Sequence, residues 1–479
     1  MPLHKTIIVW LRNDLRLHDN EALYRAVQDA EYVLPVYCLD PRQFGTTSFG
    51  FAKTGGVRAR FLLESLRDLR FSLQDIGGDL FIGHDKPESI IYALAKFHHA
   101  DAVYCQQEAT DEEIQVEDLL IDGLASLGIK VKFFWGHTLF HYDDLPFEID
   151  HLPSSFAAFQ RQVEQHCSPR PTYPLPQKIC LPKDTSPSSL PTFAELQTQI
   201  HPHEQQTITP FKGGETTGRL LMKHYLQQTN EQQTTNNNRN NNDNNDNSNS
   251  NKQKSKLAPW FANGSLSPRL FYEELKKYEQ IMVENAPNNP NSEIVSQLIR
   301  RDYWRFVAMA HGNDLFKKTG IEQKINNGKH QQQVFEQWKN GQTGLPWIDA
   351  QMRELLATGF LSEIGRQSTA RFLMKQGLDW RAGAEWFESC LIDYDPCSNY
   401  GNWNEVAKNN TQTDIENANA FDPIEQALIH DPKGEYVRFW CPELRRLPST
   451  RIHRPYTLTS AEQQYVGLIL GKDYPKYEQ

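Results

Sequence analysis

The run LIDYDPCSNYGNWNE, residues 391–405, sets two acids, Asp393 and Asp395, two residues apart, with Asn399 and Trp403 just beyond. It opens on Leu391 and Ile392 and so reads as interior. Buried acids need a cation or hydrogen-bond donors to stay inside. A plainer alternative is a helix end. Pro396, Ser398, Asn399 and Gly401 are turn residues, and acids in such places cap helices or face water. The rest of the chain has to decide between paired, chemistry-bearing acids and caps.

The elements that would position these residues fall into two halves. Strand patterns occur at 6–12 (TIIVWLR), 32–38 (YVLPVYC), 79–83, 102–106 and 130–135, with a helical pattern over 56–77 carrying Leu62, Leu66, Leu69, Leu73 and Ile76. Alternating strands and helices predict a doubly wound α/β domain over 1–140, with a parallel sheet covered on both faces. Its first strand-to-helix turn, WLRNDLRLHDN, lacks the glycines that a dinucleotide pyrophosphate requires. Residues 141–210 read as a Pro-, Ser- and Gln-rich connector. Residues 211–455 read as all-helical, interrupted by an Asn-rich low-complexity insert at 227–255 that is too polar to bury and is expected to be disordered. A tail follows, 456–479, after the basic text RRLPSTRIHRP.

Composition narrows the function classes. A net charge of −10 gives no global attraction to nucleic acid or membranes, so any DNA site must be a local patch. Ten Trp and 11% aromatic residues indicate an aromatic-rich globular protein. Seven scattered Cys lack zinc spacing and suit a reducing compartment. No apolar run is long enough to span a membrane, and the N-terminus enters a strand pattern at once. Cytosol or nucleus is the expected location.

Several long segments of the helical half together resemble the photolyase/cryptochrome family. They are NGSLSPR (263–269), RRDYWRF (300–306), GQTGLPWIDAQMREL (341–355), GLDWRAGAEWFESCLIDYDPCSNYGNW (377–403) and YVRFWCPELRRLP (436–448). GRQ at 365–367, AEWFES at 384–389 and DPCSNYGNW at 395–403 are similar to its DASH branch. The resemblance implies an N-terminal antenna domain and a helical domain holding FAD. It places Asp393, Tyr394, Asp395 and Asn399 at the flavin ring, with Arg366 pairing Asp393. It places Ser255, Lys256 and Leu257 in the phosphate loop, where Lys254 and Ala258 stand in for expected hydroxyls. Trp403 and Trp380 match two members of the family's electron relay. The third member is missing from 323–330, and Trp304, Tyr303 and Trp338 are the aromatic candidates to replace it.

Other positions depart from the family. Where DNA-repairing relatives carry a Glu and a stacking Trp, this chain has Gln297 and Arg300. Glu363 replaces an Asn, and Glu405 an aromatic residue. A carboxylate facing DNA opposes the electrostatic term that dominates affinity. Glu108 matches a glutamate that binds the pterin of a methenyltetrahydrofolate antenna, though an acid there also suits a helix N-terminus. Arg269, Arg445 and Arg446 read as solvated cations, with a DNA-backbone role as the alternative. The expected function is a flavin-binding blue-light photoreceptor with affinity for single-stranded DNA. The rivals are a light-driven photolyase acting on pyrimidine dimers and a flavin-deficient scaffold. In the photoreceptor reading the signal leaves through the tail or the insert, to a partner that the residues do not identify.

Overall fold

The first strand, β1 (His4–Leu11), alternates its side chains across a sheet that is covered twice. Ile7, Val9 and Leu11 pack with Leu23 and Ala26 of α1 (Glu21–Asp29) and Leu66, Leu69 and Leu73 of α2 (Gly56–Asp75). Ile8 and Trp10 face the other way, onto Ile91 and Ala95 of α3 (Pro87–His98) and Leu120 and Leu124 of α4 (Asp111–Ala125). A strand buried on both faces is apolar at every position, which is why TIIVWL shows no polar alternation. With β2 (Ala30–Cys38), β3 (Phe81–Gly83), β4 (Ala102–Gln106) and β5 (Lys130–Phe134), it forms a parallel sheet of order β3-β2-β1-β4-β5. The order reverses between β1 and β4. Ligands of such sheets bind beyond the strand carboxyl ends at that switch point.

The fold is a computed structural model that describes residues 2–185, 188–196, 211–237, 255–282, 292–321, 332–408 and 421–477. Beyond the sheet, the described residues form helices: α5 (Phe156–His166), α6 (Glu215–Asn237), α7 (Ala258–Ala262), α8 (Pro268–Met282), α9 (Ser292–His311) and α10 (Gln332–Lys339). They continue with α11 (Pro346–Thr358), α12 (Glu363–Lys375), α13 (Trp380–Cys390), α14 (Pro396–Lys408), α15 (Pro423–His430), α16 (Glu435–Trp440) and α17 (Ser460–Val466). A doubly wound sheet beside a helical half is the architecture expected from the sequence.

Two expectations change. The stretch read as connector contains α5, capped by Ser155, with Phe159 and Val163 buried against the helical core. Helix α6 continues through Asn237, into the run read as disordered, carried by a first half in which Met222 and Leu226 are buried. Residues 238–254, including Lys254, lie outside the described residues. The tail is packed: Tyr474 is buried and its hydroxyl donates to Asp349 at 2.5 Å.

Buried ion pairs join the halves. Arg269 is not solvated, because its guanidinium donates to Asp19 at 2.7 and 3.0 Å in the loop between β1 and α1. Arg16 donates to the carbonyl of Gly264 at 2.8 Å. Gly264 has φ +70, and a Cβ there would lie 1.7 Å from the carbonyl oxygen of Asn13. Only glycine fits that seam.

Candidate functional site

Helix α9 presents Arg305 to the start of α14. Its guanidinium is buried and serves two carboxylates at once, Asp395 at 2.6 Å and Glu108 at 2.8 Å. Asp395 also takes the Ser398 N–H at 2.8 Å, so the acid caps α14 with one oxygen and pairs with the other. Burial would raise the Asp395 pKa, but Arg305 and Arg301 outweigh it and hold it below the ordinary value. For Glu108 burial is likewise outweighed, by His137, Arg305 and Arg12, and the carboxyl is held well below its usual range. The Arg305 Nε is buried with no hydrogen-bond partner.

Asp393 takes two hydrogen bonds from Nη2 of Arg366, at 2.8 and 2.6 Å. The Asp393 side chain is 5% exposed and that of Arg366 29%, so the pair opens on its cationic side. Arg366 and the Lys256 ammonium each lie 5.9 Å from the Phe360 ring. Leu257 is fully buried, Ser255 is half-buried, and Lys256 holds a left-handed φ of +47. Such strain in a non-glycine residue concentrates at ligand loops. Asn399 is fixed by its Nδ2, which donates to the Ala384 carbonyl at 3.0 Å. The Arg58 guanidinium lies 4.8 Å from the Tyr394 ring.

Trp403 is buried edge-on to Phe387 at 5.3 Å, and Phe387 stacks on Trp338 at 6.1 Å. The α13–α14 contact depends on Gly383, where a Cβ would fall 2.4 Å from the Trp403 ring. Trp380, on the same helix as Gly383, is buried; its indole donates to the Lys318 carbonyl at 3.1 Å and meets Tyr400 at 6.2 Å. The Trp304 indole donates to Asn402 at 3.1 Å, and its ring is tilted at 52° to Tyr303 with centroids 4.9 Å apart. The 323–330 stretch lies outside the described residues.

The altered positions lie further out. Gln297 and Glu363 are exposed, and Glu363 begins α12. Arg300 sits 4.3 Å over the Phe156 ring and pairs Glu405 at 3.3 Å. Glu405 is therefore not the lone carboxylate that the sequence suggested.

A cavity of about 890 Å³ lies at the strand carboxyl ends, between Arg12, Asn13 and Thr110 on one wall and Arg381, Glu388 and Tyr400 on the other. Glu108 does not line it. Its carboxylate is committed to Arg305 and to Asn13 at 3.2 Å.

Sequence reasoning missed Arg305, Arg58 and Glu388. The signal was present in RRDYWRF, where a cation between Trp304 and Phe306 needs a buried carboxylate.

The FAD binding domain of DNA photolyase matches residues 294–477, and a DNA photolyase domain matches residues 7–178. Cryptochrome DASH of Synechocystis sp. is 42% identical over 477 residues, covering 98% of this chain and 94% of the relative. The chain belongs to the photolyase/cryptochrome family. Cryptochrome DASH of Xenopus laevis is 41% identical over 476 residues, covering 98% of this chain and 89% of the relative, which supports the DASH branch of that family. The crystal structure of the Synechocystis cryptochrome superposes with TM-score 0.88 at 42% identity, covering 98% and 96% of the two chains. A class III photolyase from Agrobacterium tumefaciens superposes at 0.81 with 26% identity, covering 98% and 94%.

The residues present fit the FAD that this family domain binds. An aromatic ring flanked by two cations, and a half-open guanidinium–carboxylate pair, are the donor set that a flavin with a pyrophosphate calls for. The buried Arg305 Nε adds a donor without a protein acceptor. Among the described residues no helix is long and apolar enough to cross a membrane.

Proposed function

We propose that this DASH-type flavoprotein is a blue-light photoreceptor in which Asp393, Asp395 and Asn399 attend the FAD ring. Arg366 would orient Asp393, while Ser255, Lys256 and Leu257 attend the phosphates. The observation that carries the reading is the Arg366–Asp393 pair opening beside Phe360 and Lys256. When bound, FAD absorbs blue light and supplies a one-electron acceptor. The chain's own contribution is to pair Asp393 with Arg366 and Asp395 with Arg305, fix the Asn399 carboxamide against α13, and pack Trp403 and Trp380 as electron donors.

Repair of dimers is disfavoured, because Arg300 is drawn onto Phe156 and Glu405 instead of offering a stacking platform. Single-stranded DNA is the nucleic acid that this surface would tolerate, since flipping costs least there. A methenyltetrahydrofolate antenna would bind near Glu108, beyond the carboxyl ends of the strands. All seven cysteines are free, which suits the cytosol or nucleus.

The test is the visible spectrum of purified protein before and after blue light with a reductant. Parent protein should carry flavin and photoreduce it. Asp393→Ala should lose flavin, and Trp403→Phe should retain it without photoreduction. Full flavin retention in the first variant, or parent-rate photoreduction in the second, would overturn the assignment.

A further inference from the structure

The electron relay has a second exit. Trp380 lies edge-on to Tyr400, with centroids 6.2 Å apart at 76°. The Tyr400 hydroxyl donates to Oε2 of Glu388 at 3.4 Å. Both Tyr400 and Glu388 line the cavity of about 890 Å³, so the phenol is the point at which the aromatic core meets a space open to small molecules. Phe316 holds the other edge of the tyrosine ring at 4.7 Å. A tyrosine next to an oxidisable tryptophan, hydrogen-bonded to a carboxylate, is a complete donor of one electron and one proton.

We propose that Tyr400 is a redox-active terminal donor and Glu388 its proton acceptor. The inference rests on the flavin reading above, in which bound FAD would be the one-electron acceptor and Trp403 and Trp380 would carry the electron towards it. The balance is closed. Tyr400 gives one electron to the Trp380 radical cation, restoring neutral indole. Its phenolic proton moves along the hydrogen bond to the Glu388 carboxylate. The products are a neutral tyrosyl radical and a carboxylic acid. A thiol entering the cavity gives one electron and one proton to the tyrosyl radical, restoring the phenol and leaving a thiyl radical that couples with a second one to a disulfide; Glu388 releases its proton to water.

The surroundings of Glu388 set a pH dependence. Arg58 of α2, Lys53 of the preceding loop, Glu112 of α4, Tyr394 just before α14 and Tyr400 on α14 face it, with Glu385 on its own helix nearby. Burial raises the carboxyl to about 7 against the opposing pull of Arg58 and Lys53. Below that pH the acceptor is already protonated and the phenolic proton has nowhere to go. Radical yield should therefore rise as pH rises through about 7.

The experiment is electron paramagnetic resonance of the flavin-loaded protein under blue light, with Tyr400→Phe and Glu388→Gln compared at pH 6 to 8. Tyr400→Phe keeps the ring against Trp380 and Phe316, so folding is preserved. We expect a tyrosyl signal in the parent that falls to background in Tyr400→Phe while the tryptophan radical lives longer. Glu388→Gln should give a low yield without the rise near pH 7. An unchanged tyrosyl signal in Tyr400→Phe would overturn the proposal, as would a parent that photoreduces through Trp403 with no tyrosyl signal. Parent-rate photoreduction in Trp403→Phe would instead break the underlying flavin reading and this inference with it.

Discussion

Replacing Arg305 by methionine removes the one cation shared by Asp395 and Glu108. All three side chains are buried. Breaking a buried pair costs about 3–5 kcal/mol, because the surviving charge has no partner. Two survivors would double that if neither had other help. Asp395 retains Arg301 and the Ser398 N–H, and Glu108 retains His137, Arg12 and Asn13. The expected loss is therefore about 5 kcal/mol, a large share of the 5–15 kcal/mol available to a folded domain. The assay is urea unfolding at constant m-value, read as the midpoint. The pH dependence should also change sign. In the parent both carboxyls lie below their ordinary values, so their stabilisation is present above about pH 4.5 and fades as pH falls through the folded values. In Arg305→Met burial would dominate and raise both, so the variant should gain stability as pH falls from 8 to 5. Adding Asp395→Asn and Glu108→Gln should recover most of the loss, since neutral groups need no cation. A loss under about 1 kcal/mol with the parent's pH profile would refute the reasoning.

Gly383→Ala should displace the Trp403 ring, because the new Cβ falls 2.4 Å from it; overpacking of this kind costs about 1–3 kcal/mol. Slower photoreduction alongside a lowered urea midpoint would show both effects, and a parent-like midpoint would contradict the packing. Tyr474→Phe removes one donor to buried Asp349, which keeps Thr343 and Gly344, and should cost about 1–3 kcal/mol. Faster proteolysis after α17 is the readout, and unchanged cleavage would mean that the hydroxyl does not anchor the tail.

Much of this was legible in residue order. Strand runs and leucine spacing identify the doubly wound sheet because hydrophobic period follows backbone geometry. The paired acid and arginine, Asp393 and Arg366, were predicted from the family resemblance, and the structure joins them at 2.6 Å. Helix α5 was also readable in principle, since Ser155 caps a run with Phe156, Phe159 and Val163 on one face. The proline- and serine-rich text around it hid the signal.

What only the tertiary structure decided are contacts whose partners are far apart in sequence. Arg305 and Glu108 are 197 residues apart, and Arg269 and Asp19 are 250 apart. Local text cannot say that Glu108 faces a guanidinium, or that Arg269 is buried and not solvated. Glu405 looked like a bare acid until the fold set Arg300 beside it. Tyr400 and Glu388 became a donor and acceptor only when α13 and α14 packed together. Periodicity is a property of one segment, and residue order carries it directly. Charge pairing, desolvation and ring contact depend on distance in space, which exists only after the chain has closed on itself.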